Sequence, residues 1–334
     1  MTNRNGGDDL RKVFALFIML SCIVAFNISV HAEEELTREQ ILSNRMDLYL
    51  KYGTVEVPWY YLAAVDQFER NIQEVRNDLE KKEEPVSMNF PTYLWSGLNN
   101  PNAEDDSSFS IAYFGGIGKD GNGDGLSDRQ DPEDILFTLS EYLAGYIFTE
   151  KGIGQGLLDY YDNKEAVRQI ITIAKIYAHF ETNALDKRAF PLPTTADYSY
   201  RGTWGASRGW GGRRIHEGTD LFAGYGVPVR SVTYGIIEIM GWNEYGGWRV
   251  GIRDTNNTYH YFAHLSSFNK EFKEGSIVKP GDIVGYVGSS GYGKEGTSGR
   301  FPPHLHYGMY KYNGRVEWAF DPFPHLRVWE RQGN

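Results

Sequence analysis

The chain has 334 residues, a formal net charge of −10, 41% hydrophobic and 23% charged residues, eight histidines and one cysteine. At about 100–200 residues per domain this length suggests two domains, and the composition is that of a globular protein with apolar mass for real cores. It excludes a disordered, collagen-like or disulfide-stapled chain, and the presence of only one long apolar run excludes a polytopic membrane protein.

That run is Val13–Val30, behind Arg4, Arg11 and Lys12 and ahead of Val30-His31-Ala32. A basic start, an apolar stretch and a small-residue site read as a secretory signal cleaved after Ala32. Its 18 residues also reach the lower limit for an uncleaved membrane anchor. Membrane contact is expected only through this segment. Cys22, the single cysteine, lies within it, so the mature chain has none. Export without disulfides points to a bacterial surface.

Residues 33–190 read as a helical domain. Arg38–Tyr52 carries Ile41, Met46, Leu48 and Leu50. Pro58 suits the first turn of a helix, and Tyr61, Leu62, Val65, Phe68 and Ile72 then recur at three- and four-residue spacing. Ile135–Phe148 and Val167–Phe180 repeat that period. Between them, Asp120, Asn122, Asp124, Asp128 and Asp131 fall at positions 1, 3, 5, 9 and 12 of an EF-hand-like loop, with Gly125 at position 6. They form a candidate calcium site, although Asp131 is short for a bidentate twelfth ligand.

Charge and glycine content change near Pro191-Leu192-Pro193-Thr194-Thr195, and residues 191–200 read as a linker. Residues 33–190 hold 29 acidic and 15 basic side chains, whereas residues 191–334 hold 13 acidic and 16 basic. Glycines number 12 in the first and 24 in the second. The acidic half argues against nucleic acid as a partner. The mildly basic half suits an anionic polymer such as cell wall.

Residues 201–330 read as a β domain. Gly235–Met240, Trp248–Arg253, Thr258–His264, Ile283–Val287 and Leu305–Tyr310 are short, β-branched or aromatic runs between glycine turns. Five of the eight histidines fall between 216 and 306. His304 and His306 are two apart, which on a strand places them on one face roughly 7 Å apart. His216 and Asp220 are four apart. His264 ends a strand, and by parity His260 shares its face. Together His216, Asp220 and one or more further histidines make a plausible two-histidine, one-carboxylate zinc site.

Residues 204–310 carry, in order, Trp204-Gly205-Ala206-Ser207-Arg208, His216-Glu217-Gly218-Thr219-Asp220, Gly226-Val227-Pro228-Val229, Gly235-Ile236-Ile237, Tyr261-Phe262-Ala263-His264-Leu265, Val278-Lys279-Pro280-Gly281-Asp282 and Pro303-His304-Leu305-His306-Tyr307. This series resembles the lysostaphin-type zinc endopeptidases, the M23-like enzymes that cut peptide bonds in bacterial peptidoglycan. The resemblance implies zinc ligands at His216, Asp220 and His306, and catalytic histidines at His264 and His304. It assigns nothing to His260, read as a strand or cleft-wall residue. His179 and His325 are read as structural, and the loop Gly288–Pro303 is longer than the pattern.

In the first half, Tyr60–Asn71 resembles the helix by which lytic transglycosylases present a catalytic glutamate, which maps to Glu69. Asp120–Gly125, Pro132–Leu143 and Gly156–Tyr177 fit the same lysozyme-like family. The residues departing from its pattern are Glu69-Arg70, Ser110–Phe114 and Asp159-Tyr160-Tyr161. Glu69 is therefore read as an exposed carboxylate or a remnant on a glycan-binding surface.

The expected fold class is thus α+β with two domains: a helical lysozyme-like N-terminal domain and an antiparallel β-rich lysostaphin-type C-terminal peptidase domain. The layout resembles the L-alanyl–D-glutamate endopeptidases of spore cortex, implying an exported peptidoglycan hydrolase. The alternatives are a bifunctional hydrolase that also cuts glycan at Glu69, and a non-catalytic wall-binding scaffold.

Overall fold

The computed structural model describes residues 36–333 except 80, 83–84, 148–151 and 210–213. The expected signal or anchor, residues 1–32, lies outside the described residues. Among those described, no helix is long and apolar enough to cross a membrane.

The first half is helical: α1 (Arg38–Tyr52), α2 (Trp59–Val75), the short α3 (Thr92–Trp95) and α4 (Ser108–Tyr113), α5 (Pro132–Ala144), α6 (Ile153–Tyr161) and α7 (Lys164–Phe180). The three- and four-residue spacing on α2 buries Leu62, Val65, Phe68 and Ile72. These meet Ile170, Ile173 and Tyr177 of α7 in one core. Each such side chain contributes about 1.5–3 kcal/mol when fully buried. Asp66 lies on the same buried face and is 1% exposed. It survives there because it is fully hydrogen-bonded. Its carboxylate accepts from the Tyr49 hydroxyl of α1 at 2.6 Å and from the amides of Ser87 and Met88.

The second half is an antiparallel β structure. Its strands are β1 (Tyr198–Tyr200), β2 (Ser207–Arg208), β3 (Arg214–Ile215), β4 (Thr219–Ala223), β5 (Pro228–Arg230), β6 (Gly235–Asn243), β7 (Gly247–Asp254), β8 (Thr258–Phe268), β9 (Ile277–Val278), β10 (Ile283–Val287), β11 (His304–Tyr312) and β12 (Glu317–Phe320). The main sheet runs β1-β4-β11-β8-β7-β6-β9, with β12 on β11 and β10 between β5 and β8; β2 and β3 pair separately. The strand alternation sorts side chains between two faces. Leu221, Val250, Ile252, Phe262, Leu305 and Tyr307 fill the core, covered by Leu326 and Trp329 of α8 (Phe323–Gln332). The other face carries Asp220, Tyr261, His304, His306 and Tyr310, which line a cleft.

Two regions differ from the sequence reading. Residues 191–200 do not hang as a spacer. Phe190 and Leu192 are buried in the sheet core, and Tyr198–Tyr200 pair with β4. The proline-rich composition signals the absence of a helix there, not the absence of packing. Helix α8 is a further element outside that reading, with Leu326 and Trp329, three residues apart, buried along its length.

The two halves are joined by satisfied polar groups. Asn71 Nδ2 donates to the Thr255 carbonyl at 2.9 Å. Asn163 Nδ2 donates to the Tyr312 hydroxyl and the Gly314 carbonyl. Arg188 pairs with Asp254 at 3.4 Å. Tyr312, at the end of β11, is buried within the helical core.

Because Asp66 of α2 satisfies groups from α1 and from the Ser87–Met88 segment, Asp66→Ala should destabilise the protein by about 2–4 kcal/mol, through orphaned buried donors. Urea denaturation followed by circular dichroism measures this. A loss under about 0.5 kcal/mol would show that the carboxylate is not the tie described.

Candidate metal centre

The register of β4 and β11 sets Asp220 directly opposite His306. Cross-strand partners have Cβ atoms about 4.5–5.5 Å apart, so their side chains meet on the cleft face. His216 joins them from just before β4. The chain between carries Gly218, where a Cβ would lie 2.6 Å from His306 Cε1 and 2.6 Å from the Tyr307 carbonyl. Only glycine permits that approach.

The donor atoms converge. His216 Nε2 and His306 Nδ1 are 3.0 Å apart, and each is 3.0 Å from Asp220 Oδ1. Zinc bonds of about 2.0–2.2 Å to histidine and carboxylate in a tetrahedral site separate ligand atoms by a little over 3 Å. The His-Asp-His donor set therefore fits zinc. Among the described residues it is the one group of three or more potential ligands close enough to hold a metal. Burial opposes the charge on Asp220, but the adjacent His216 and His306 imidazoles outweigh it and hold the carboxyl far below its usual range.

Neighbouring groups orient each donor. His216 Nδ1–H donates to the Thr203 carbonyl at 3.0 Å, leaving Nε2 with its lone pair toward the centre. Arg208 donates to the second Asp220 oxygen, Oδ2, at 2.6 Å, so Oδ1 alone faces the histidines. Such outer partners fix ligand orientation. Arg208 belongs to a motif visible in the sequence, but nothing in its spacing announces this contact.

His304 and His264 complete the site. His304 Nδ1–H donates to the Pro302 carbonyl at 2.9 Å, and His264 Nδ1–H to the Ser290 carbonyl at 2.8 Å. Their rings lie 4.9 Å apart, and His304 Nε2 is 3.8 Å from Asp220 Oδ1. Burial lowers both pKa values, that of His264 to about 3 with help from His306 and His304.

His260 does not share this face, contrary to the parity argument. Along β8, Phe262 pairs with Val250 but Leu265 pairs with Trp248, so one extra residue is inserted between the two. His264 there has φ +64°, a left-handed conformation that costs a non-glycine residue energy and marks functional positions. The bulge rotates His264 into the cleft. His260 stays on the opposite side, between Asp254 at 3.2 Å and the Tyr307 hydroxyl at 2.7 Å. His325 is near it, lining a second, smaller cavity.

The acidic loop does not gather as a calcium site. Asp120 accepts from the amides of Gly123 and Gly125, Asp124 from Leu126, and Asp128 from Gln130. Asp131 caps α5 through the amides of Glu133 and Asp134. The loop is organised instead by the buried carboxylate of Asp134, which accepts from Gly121, Asn122 and Asp128. Asp134 thus ties the turn to the helix that follows. Glu69 is not an exposed carboxylate. It is half-buried on α2 and accepts from the Tyr161 hydroxyl at 2.6 Å, and burial raises its pKa to about 7.

Comparison with known proteins places this geometry in context. The profile of peptidase family M23 matches residues 214–318. The L-Ala–D-Glu endopeptidase of Bacillus subtilis is 53% identical over 317 residues, covering 95% of this chain and 97% of that protein. Lysostaphin of Staphylococcus staphylolyticus is 35% identical over 115 residues, covering 34% of this chain and 22% of that one. Among solved structures, the catalytic domain of lysostaphin from Staphylococcus simulans is 29% identical and covers 42% of this chain and 99% of its own, with a TM-score of 0.34.

Substituting any one of His216, Asp220 or His306 with alanine should strip bound zinc from the purified protein. Arg208→Ala should weaken zinc by about 10–100-fold through loss of carboxylate orientation. Zinc titration against a competing chelator reads both, and wild-type affinity in a ligand variant would refute the assignment.

Proposed function

The chain belongs to peptidase family M23, and on that premise we propose that it hydrolyses the L-alanyl–D-glutamate bond of peptidoglycan stem peptides at the centre formed by His216, Asp220, His306, His264 and His304. It is a zinc-dependent endopeptidase acting on peptidoglycan, a substrate outside the cytoplasmic membrane, so it works in an extracytoplasmic setting. The choice of bond is supported by the near full-length relative that is named for it. The observation that carries the chemistry is the convergence of three ligand atoms beside two carbonyl-anchored histidines.

Zinc bound at His216, Asp220 and His306 supplies a Lewis acid that polarises the scissile carbonyl and acidifies a water. The protein's own part is positioning and proton transfer. With Nδ1–H committed to a carbonyl, each of His264 and His304 keeps its lone pair on Nε2. Burial keeps both imidazoles neutral at pH 7. A neutral Nε2 of one histidine would accept the proton of the attacking water and then deliver that same proton to the leaving amine.

For the remainder of the chain, we assign residues 1–32 to export or anchoring, residues 33–190 to a lysozyme-like unit that recognises wall glycan, and residues 201–330 to catalysis. Spore cortex is the proposed setting. One observation favours a second reading. A glycosidase needs a glutamic acid of raised pKa, and Glu69 has one. The motif residues that hold sugar are nevertheless altered around it, and positioning supplies much of a glycosidase's rate.

His264→Ala and His304→Ala should each keep zinc and lose about 10²–10⁴-fold in turnover. Digestion of purified peptidoglycan read by mass spectrometry checks this and names the bond. Near-wild-type turnover in either variant would make that histidine structural.

Glu69→Gln should leave the release of wall fragments unchanged. Its effect should fall on stability. A carboxyl whose folded pKa is raised from 4.5 to about 7 destabilises the fold progressively as pH rises through that window. The variant should therefore lose that pH dependence and gain on the order of 2 kcal/mol at pH 8. Anhydromuramyl or reducing-end products that vanish in Glu69→Gln would instead establish a two-headed hydrolase.

A further inference from the structure

The cleft that holds the metal centre has a volume of about 820 Å³ and is lined by several arginines. Most are already committed. Arg208 is bound to Asp220, and Arg253 to Glu238 and Glu317. Arg214 lies across the rings of Tyr245 and Tyr292 and donates to the Tyr292 hydroxyl at 2.8 Å. Arg300 donates to the Tyr292 carbonyl.

Arg249 differs. It stands on β7, on the same face as Gly251 and Arg253, and lines the cleft. Among the described residues it forms no ion pair, and its Nε is buried without a hydrogen-bond acceptor. A half-buried guanidinium left without an anion costs free energy unless a ligand supplies one. Its neighbour is Tyr261. Burial pushes that phenol up, and the Arg249 guanidinium beside it pulls the other way. A Cβ on Gly246 would lie 2.1 Å from the Tyr261 hydroxyl, so that residue's bareness leaves room for the hydroxyl.

Position relates this pair to the scissile bond. The Tyr261 ring meets the ring of His306 edge-on at 6.0 Å. Arg249 lies two strands from His306 across the sheet order β11-β8-β7, about 10 Å at ~4.8 Å per strand, and a guanidinium arm spans much of that. In a stem peptide, D-glutamate is extended through its side-chain carboxyl, so its α-carboxylate stays free. That carboxylate is two bonds from the scissile nitrogen, on the order of 4 Å from the scissile carbonyl carbon. The next carboxylate belongs to the diamino acid that follows.

We propose that Arg249, with the Tyr261 hydroxyl, is the carboxylate receptor of the cleft, seating a free carboxylate of the stem peptide on the leaving-group side of the scissile bond. This rests on the proposed L-alanyl–D-glutamate specificity. Arg249 is thereby a specificity residue rather than a participant in proton transfer. A planar guanidinium takes a carboxylate by two parallel hydrogen bonds, so the receptor distinguishes a carboxylate from its amide.

The test uses the full-length zinc enzyme and three synthetic peptides of the form L-alanyl-γ-D-glutamyl-diamino acid. One has both carboxylates free, one has the glutamate α-carboxylate amidated, and one has the diamino-acid carboxylate amidated. For wild type, amidating the recognised carboxylate should raise KM about 10–100-fold with kcat changed less than about threefold. Arg249→Met should raise KM for the unmodified peptide by the same factor and abolish the discrimination, with zinc content unchanged. Arg249→Lys, which keeps the charge and the stem, should restore part of the affinity. Which amide matters identifies the carboxylate. Equal losses on all three peptides in Arg249→Met, or wild type indifferent to both amides, would overturn the receptor. Calorimetric binding of the same peptides reads the receptor separately from cleavage. If wild type binds with carboxylate discrimination but leaves the bond intact, the bond assignment fails and the receptor stands.

Discussion

The antiparallel register that sets His306 opposite Asp220 is the constraint from which the site follows. Side chains alternate across a strand, so a slip of one residue would send both ligands into the core and bring Leu305 and Leu221 into the cleft. The core prevents that slip. Leu221, Leu305 and Tyr307 are fully buried on the opposite face, and exposing them would cost several kcal/mol. The metal centre is thus held in register by apolar burial that has no chemical role. Gly218 then lets His216 close the triangle.

A second device orients His264 and His304. Both hold Nδ1–H on a backbone carbonyl, Ser290 for His264 and Pro302 for His304. Backbone anchors select one tautomer and one ring direction, which lowers the reorganisation needed during reaction. For His264 the backbone also adopts a left-handed conformation within a bulge. The strain is balanced by the packing of β8 between β7 and β11, and it turns the ring toward the metal ligands. Bulges beside active sites commonly re-aim a side chain in this way.

The helical half is built on buried carboxylates that serve as internal anchors. Asp66 binds three segments together, and Asp134 organises the glycine-rich loop from within the helix that follows. Its attachment to the β half is partly polar, through Asn71 and Asn163, and partly apolar, through Tyr312 in the helical core. Glu69 stands apart from these, since it is half-buried with a single hydroxyl donor and a raised pKa.

Much of this was legible in the residues alone. Helical periodicity located α2, α5 and α7 because their buried faces are long and regular, and the β-branched runs located β6, β7, β8, β10 and β11; on α1 the helix is present, but it buries Arg45, Tyr49 and Tyr52 and not the Ile41, Met46, Leu48 and Leu50 that suggested it. The histidines and Asp220 that converge in the cleft were legible because metal ligation demands particular residue types in order along the chain. Other features lay beyond the sequence because they depend on neighbours distant along it. Parity grouped His260 with His264, but a bulge, set by pairing with β7, separated them. The EF-hand-like spacing of five acidic and amide residues was genuine, yet in the fold the loop's carboxylates accept from its own amides, and among the described residues they form no cluster of three or more ligands. Strand β1 is three residues long, too short to show a period, and its pairing with β4 is set by the sheet. That Arg249 forms no ion pair among the described residues is equally invisible in sequence. Whether an arginine has an anion beside it is decided only when the strands are brought together.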